Sequence, residues 1–269
     1  MTGLGVIGNI SIDTAHYPDG RSHVLLGGAA LYVSLAAAQA GALVRPVAAV
    51  GDELAHLPAA SWPETLDLTH VARVAGPSCR FEITYGADGQ VVGITTAYGV
   101  AAGVTAHALA ALGQSDCDRW HVCCRRPLDV GQVLGRLMSE GRPFSLDFHL
   151  ASASEQISAA KAALPYAEVV FVNAAEYRLL SELVAVSELA TVVVSDGPRK
   201  VALLRHGRCT STHMPSPGPV VEVTGAGDTL AGTFLAETLH GASESNALAA
   251  AVTAATQQAR HPALPYDPP

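Results

Sequence analysis

A chain of 269 residues that is 49% hydrophobic and 15% charged carries enough apolar material for one large buried core, and its length suits one α/β domain or one domain with a small appendage. A formal charge of −8 leaves no basic footprint for nucleic acid. No apolar run reaches the ~20 residues that span a bilayer, and no basic stretch precedes an apolar one at the N-terminus, so the expectation is a cytoplasmic protein that binds neither nucleic acid nor membrane.

Taken in chain order, Gly3 to Gly8 reads as a short apolar strand that ends in Gly8-Asn9-Ile10-Ser11-Ile12-Asp13. Tyr17-Pro18-Asp19-Gly20 is a turn signature, and Val24-Leu25-Leu26 a second short strand. Gly27-Gly28 opens a run rich in Ala, Leu and Val, Ala29 to Ala40, that predicts a buried helix ended by Gly41. Leu43 to Val50 follows as a strand. Two alternating segments between Arg80 and Thr96 flank Ala87-Asp88-Gly89 and predict a hairpin. Beyond it, strands near Trp120–Cys124, Phe144–Asp147, Val169–Val172, Thr191–Ser195 and Val201–Arg205 are expected. Helices are expected near Val104–Leu112, Val130–Ser139, Ser154–Leu164, Ala174–Leu183, Thr229–Leu239 and Ser245–Ala259. This alternation argues for a parallel sheet covered by helices. The hairpin and the Ser11–Leu26 region fall outside it and predict a separate small sheet. The segment from Pro262 to Pro269 lacks helical potential and reads as a tail.

Five cysteines (Cys79, Cys117, Cys123, Cys124 and Cys209) form no C-x-x-C pair and read as reduced thiols, with Cys123-Cys124 in the core. His121 and His149 fall at strand positions on the cleft side and read as core or rim histidines. Arg125-Arg126 is expected on a solvated loop, with contact to an anionic group of a substrate as the alternative. Asp147, at a strand end, is a candidate for facing the pocket.

The richest stretch is Glu222-Val223-Thr224-Gly225-Ala226-Gly227-Asp228-Thr229, followed at once by a helix-compatible run. Small residues bare the backbone of a turn, and the first N–H groups of a helix have no intrahelical partner, so such a turn holds an anion. Asp228 places a carboxylate at the same mouth, and deprotonating an attacking hydroxyl is a task that explains it. A P-loop is excluded because neither lysine, Lys161 or Lys200, follows a glycine as G-x-x-x-x-G-K requires. The dinucleotide fingerprint fails because Leu230 stands at its third glycine. Neither a G-x-S-x-G elbow nor an H-E-x-x-H pair is present.

These residues resemble the C-terminal signature of the ribokinase-like (PfkB) carbohydrate kinases. Asp13 after the first strand, the Gly27-Gly28 diglycine and Asn173-Ala174-Ala175-Glu176 match further motifs of that family in the same order, over roughly Leu4 to Ala259. The resemblance implies a ribokinase-like three-layer α/β/α fold with a mostly parallel central sheet and a small β-sheet lid. It implies a single kinase domain over 1–261, a lid from about 11–26 and 78–98, and a tail over 262–269. The activity it implies is transfer of the γ-phosphate of ATP, with Mg²⁺, to a hydroxyl of a small sugar or polyol; a nucleoside acceptor and a catalytically silent ligand sensor are the alternatives. Asp228 would be the general base, with Gly225, Ala226 and Gly227 forming the anion hole. Asn173 and Glu176 would organise Mg²⁺ and phosphates, Glu176 through water. Thr224, Ser195, Gly197 and Lys200 would lie beside the nucleotide, Lys200 reaching a phosphate or pointing to solvent. Asp13, Gly27, Gly28, Tyr32, Phe81 and Asp147 would face the acceptor. A monovalent cation and a homodimer paired through the lid are further expectations. Asn173 and Glu176 also fit a helix capping box, a reading compatible with a metal role. Glu222 stands in place of the family's usual Asp. Tyr32 and Ala29 replace the Asn and Lys of ribokinases proper, which argues against ribose and for another polyol, an inositol-like ring or a nucleoside.

Overall fold

The computed structural model describes residues 3–57, 62–86 and 91–266. Nine strands form the large sheet: β1 (Gly3–Ile7), β4 (Leu43–Val50), β5 (Val71–Arg73), β8 (Arg119–Cys124), β9 (Phe144–Phe148), β10 (Val169–Asn173), β11 (Thr191–Ser195), β12 (Val201–Arg205) and β13 (Arg208–His213). Their order is β13-β12-β11-β10-β9-β8-β1-β4-β5. The run from β11 to β5 is parallel, and β12 and β13 add an antiparallel edge.

Period-two alternation divides each inner strand between two cores. Leu4 and Val6 of β1 face one, with α1 (Ala29–Gln39), α6 (Ala226–Leu239) and α7 (Glu244–Gln258). Ile7 of β1 and Phe144, Leu146 and Phe148 of β9 face the other, with α2 (Val104–Gln114), α3 (Val130–Ser139), α4 (Ala153–Ala160) and α5 (Ala174–Leu183). The layers are therefore helix, sheet, helix. Helix α1 is buried on nearly every side, which is why it has no polar stripe.

The second sheet has the order β3-β2-β6-β7, from β2 (Ser11–His16), β3 (Ser22–Gly27), β6 (Cys79–Tyr85) and β7 (Val91–Ala97). Its outer pairs are antiparallel, while β2 and β6 run parallel because the chain passes through α1 and β4 between them. The expected turn at Ala87-Asp88-Gly89 lies outside the described residues. Among the described residues, no helix is long and apolar enough to cross a membrane.

Three expectations need correction. The helix expected over Ser154–Leu164 ends at Ala160 and a separate 3-10 turn spans Leu164–Tyr166, since Pro165 supplies no amide and restricts Leu164. Helix α6 begins at Ala226, three residues early, because Gly225 adopts φ 75° and caps it. Strands β5 and β13 were not expected. The first has only three residues, and the second is a polar edge strand reached through His206-Gly207, whose φ values of 48° and 75° suit a tight hairpin turn. The described part of the C-terminal tail holds no helix, as expected, and pairs along the open edge of β3: the Leu26 amide donates to Leu264 O at 2.9 Å and the Tyr266 amide to Val24 O at 3.2 Å.

Helices α1 and α6 meet closely at Gly232, where an added Cβ would overlap the Val33 carbonyl. Alanine gains ~1 kcal/mol in helix propensity over glycine, but overpacking a site this tight costs ~1–3 kcal/mol. Gly232→Ala is therefore expected to lower the melting temperature, and an unchanged or raised Tm in calorimetry would contradict the close contact.

Candidate active site

The parallel strands all end at one edge of the sheet, and neighbours β1 and β8 lead the chain in opposite directions from there. Loops part at such a switch point and leave a crevice. A cavity of about 650 Å³ lies in it, lined by Asn9 after β1, Arg125 after β8, Asp147 of β9, Asn173 of β10 and Ser195 of β11. The small sheet covers it with Phe81, Ile83 and Tyr85 of β6 and Ile94 and Thr96 of β7.

The turn from Thr224 to Asp228 forms one wall. Glu222 wraps it: its Oε1 accepts from the Val223 amide at 2.9 Å, the Thr224 amide at 3.1 Å and Thr224 Oγ1 at 2.8 Å. Its Oε2 accepts from the Tyr17 hydroxyl at 2.9 Å, and Tyr17 stacks on Tyr85 of the small sheet with centroids 5.3 Å apart. The longer acid thus joins turn and lid. Gly225 is required twice over, by its positive φ and because a Cβ would overlap the Tyr32 ring. The Ala226 amide donates back to Val223 O at 3.1 Å. Among the described residues, the Gly225, Gly227 and Asp228 amides have no protein acceptor.

Asp13 of β2 sits at the opposite wall, 8% exposed, with Ser11 Oγ donating to its Oδ1 at 2.7 Å. A Cβ on Gly27 would overlap this carboxylate, so the first glycine of the pair exists to admit Asp13. Gly28, at φ 98°, presses on the Asn9 carbonyl and starts α1. Burial raises the Asp13 carboxyl to about 6, and the nearby Asp228 charge adds to it, against Ser11 and Arg125. Tyr32 lines the cavity with its ring. Its hydroxyl is committed elsewhere, donating to Leu26 O at 3.1 Å and accepting from the Leu264 amide at 3.3 Å.

The expectation that Arg125 lies on a solvated loop is wrong. Its Nη2 donates to Asp147 Oδ2 at 2.6 Å and to Asp228 Oδ1 at 2.8 Å. Burial disfavours the Asp147 anion, but Arg125 and then His121 outweigh it and hold the carboxyl below its ordinary range. His121 is a core residue, with no exposed surface; its Nδ1 lies 2.8 Å from Ser145 Oγ and its Nε2 3.6 Å from Asp147 Oδ1. Arg126 does reach the surface, paired with Glu155. The sequence cue for Arg125 was weak: an arginine directly after a buried strand, at the sheet edge where ligands bind. Asn9 was also missed as a lining residue; its Nδ2 donates to Arg126 O at 2.9 Å.

At the far end, Asn173 and Glu176 form a full capping box on α5. Asn173 Oδ1 accepts from the Ala175 and Glu176 amides at 2.9 and 3.0 Å, and Glu176 Oε2 accepts from the Asn173 amide at 2.8 Å. Burial raises the Glu176 carboxyl to about 7, against the Asn173 hydrogen bond. Ser195 and Gly197 line a shallower adjoining cavity with Asn173 and Arg178. Lys200 is exposed and lines neither cavity.

Together these features define a phosphotransferase-type cleft: a carboxylate beside free helix-terminal amides, facing a second, buried acid. Residues 1–266 match the family model described as pfkB family carbohydrate kinase, and the chain belongs to that family, whose members transfer a phosphoryl group to a hydroxyl. It is 28% identical over 249 residues to the cytidine kinase of Thermococcus kodakarensis, covering 88% of each chain. Its fold is that of the Burkholderia thailandensis nucleoside kinase solved with inosine, at TM-score 0.81 and 18% identity over 96% of this chain and 91% of the other. It also matches a putative ribokinase II from E. coli, at TM-score 0.82 and 16% identity over 98% and 94%. The ribokinase-like fold with its mostly parallel sheet and small second sheet is as expected.

The Asp13 geometry has a pH signature. A carboxyl raised from 3.8 to about 6 on folding contributes stability that is full below 3.8 and lost as pH rises through about 6, a swing of roughly 3 kcal/mol. Asp13→Asn removes the buried charge. It is expected to melt above wild type at pH 8, with the advantage shrinking toward pH 4; a pH-independent difference would refute the assignment.

Proposed function

We propose that the protein is an ATP-dependent nucleoside kinase that phosphorylates a ribose hydroxyl. The observation that carries this reading is the face that the small sheet turns to the cavity, a carboxylate set among aromatic and aliphatic side chains. Asp13 offers a charged acceptor for sugar hydroxyls, while Phe81, Ile83, Tyr85 and Ile94 of the same small sheet line the cavity beside it, Phe81 in direct register with Asp13. A bare sugar or inositol leaves that aromatic and aliphatic surface without a partner, whereas a nucleobase stacks on it. The cytidine kinase and nucleoside kinase relatives support the same choice, and it reverses the order in which the sequence ranked polyol and nucleoside.

In this reading Asp228 takes the proton from the acceptor hydroxyl as that oxygen attacks the γ-phosphorus of ATP, and ADP leaves on the other side. The Gly227 and Asp228 amides, with the N-terminal end of the α6 dipole, hold the charge on the transferring group. Tyr17, Tyr85 and Glu222 hold the lid against the turn, which keeps water from acting as acceptor. Ser195 and Gly197 lie beside the nucleotide in the adjoining cavity. Lys200 is left out of the set.

The residues present fit Mg²⁺. Glu176 is a hard oxygen donor, 4% exposed and lining the cavity, with no ion-pair partner among the described residues. Burial raises its carboxyl, and the Asp147 charge adds to it, so a cation placed there would favour the ionised form. Asn173 spends its oxygen on two amides, so its part is to orient Glu176, which would hold the ion through water. When bound, Mg²⁺ supplies charge neutralisation at the phosphates.

The test is ADP release with ATP and Mg²⁺ across cytidine, inosine, other nucleosides, free sugars and inositols. Nucleosides are expected to give the highest kcat/KM, and Asp228→Asn to lose about 10²–10⁴ in rate. A free sugar or inositol preferred over every nucleoside would overturn the acceptor assignment. Equal turnover by Asp228→Asn would overturn the base.

A further inference from the structure

The acceptor end of the cavity is crowded with acid. Asp13, Asp147 and Asp228 all line it, and a triphosphate adds more negative charge. Arg125 is the cation that touches two of the three, through one nitrogen. Its anchorage is built from the sheet outward. His121 of β8, beside Ser145, stands 3.6 Å from Asp147; Asp147 of β9 holds Arg125, and Arg125 holds Asp228. Each member except Asp228 springs from a strand or the residue after one, so the chain has little freedom to shift. The donor atoms of His121, Cys123 and Asp147 also lie within 4.8 Å of one another, but the guanidinium already supplies the positive charge at Asp147.

We propose that Arg125 is a positioning residue for phosphoryl transfer: clamped by Asp147, it fixes one oxygen of Asp228 and leaves the other to face the acceptor hydroxyl. The inference rests on reading Asp228 as the base. Without the clamp, the approaching phosphoryl oxygens repel the Asp228 carboxylate, and the base turns away as it is needed. The guanidinium suits this task because it stays charged when buried and holds a fixed geometry, which a lysine ammonium on a flexible stem does not. A purely structural role, neutralising two buried carboxylates, predicts loss of stability in step with loss of activity. Positioning predicts a loss concentrated in kcat.

The experiment compares Arg125→Ala, Arg125→Lys, Asp147→Asn and the Arg125→Ala/Asp147→Asn double variant with wild type and Asp228→Asn. ADP release is measured with the preferred acceptor of the panel and, in parallel, with water as acceptor, and melting curves are taken for every variant. Arg125→Ala is expected to lose about 10² in kcat with acceptor KM nearly unchanged, and to recover part of it on adding guanidinium at a concentration that leaves the melting curve unaltered. Arg125→Lys, which keeps the charge and avoids two bare buried acids, is expected to fold and to remain well below wild type in kcat. Asp147→Asn is expected to cost kcat in the wild-type background and little beyond Arg125→Ala in the double variant, as for two groups acting as one. Wild-type turnover in folded Arg125→Ala or Arg125→Lys, a loss seen only in KM, or additive losses in the double variant overturn the proposal. If Asp228→Asn is inactive while Arg125→Ala is not, the clamp alone falls; if Asp228→Asn stays active, the base reading falls with it.

Discussion

The close contact between α1 and α6 sets the geometry on which the site depends. Each helix borders the cavity at its N-terminus: Gly27-Gly28 precedes α1 and admits Asp13, while Gly225 to Asp228 opens α6. Gly232 lets the two backbones approach until nothing larger than hydrogen fits beside Val33 O. Gly225 lets the Tyr32 ring of α1 press on the turn of α6. Because packed interiors do not deform continuously, the separation of acceptor wall and anion turn is fixed by these contacts and not by loops.

The same packing explains why Tyr32 sits where it does. Its ring meets the anion turn, while its hydroxyl joins β3 of the second sheet to the C-terminal segment. Glu222 makes a second tie between turn and lid through Tyr17. The small sheet, the C-terminal segment and the turn before α6 therefore meet at two side chains.

Electrostatics pull against this tight assembly. Asp13 and Glu176 are buried acids whose carboxyls are raised by desolvation, whereas Asp147 is held ionised by Arg125. In the proposed reaction a sugar hydroxyl at the first and a cation at the second would relieve these costs. The third is paired with Arg125 within the chain. Environment, not residue type, separates these roles.

Much of this was legible in the chain itself. Small-residue turns have local causes: Gly225 and Gly28 take positive φ, and Asn173–Glu176 is a capping box within four residues, so sequence alone determined the turn before α6, the diglycine and the cap of α5. Strands such as Thr191–Ser195 and helices such as Val130–Ser139 were equally readable, because their apolar patterns answer to one sheet face or one helix face. Short or polar edge strands were not, since β5 and β13 exist only by pairing with neighbours. Arg125 shows the limit most plainly. Next to Arg126 in sequence the two look alike, yet one meets Glu155 at the surface and the other lies between two carboxylates drawn from β9 and α6. A residue's partners across 22 and 103 positions of chain leave no local trace. Only the folded sheet, by bringing strand ends and the α6 turn to one edge, decided that this arginine belongs to the site.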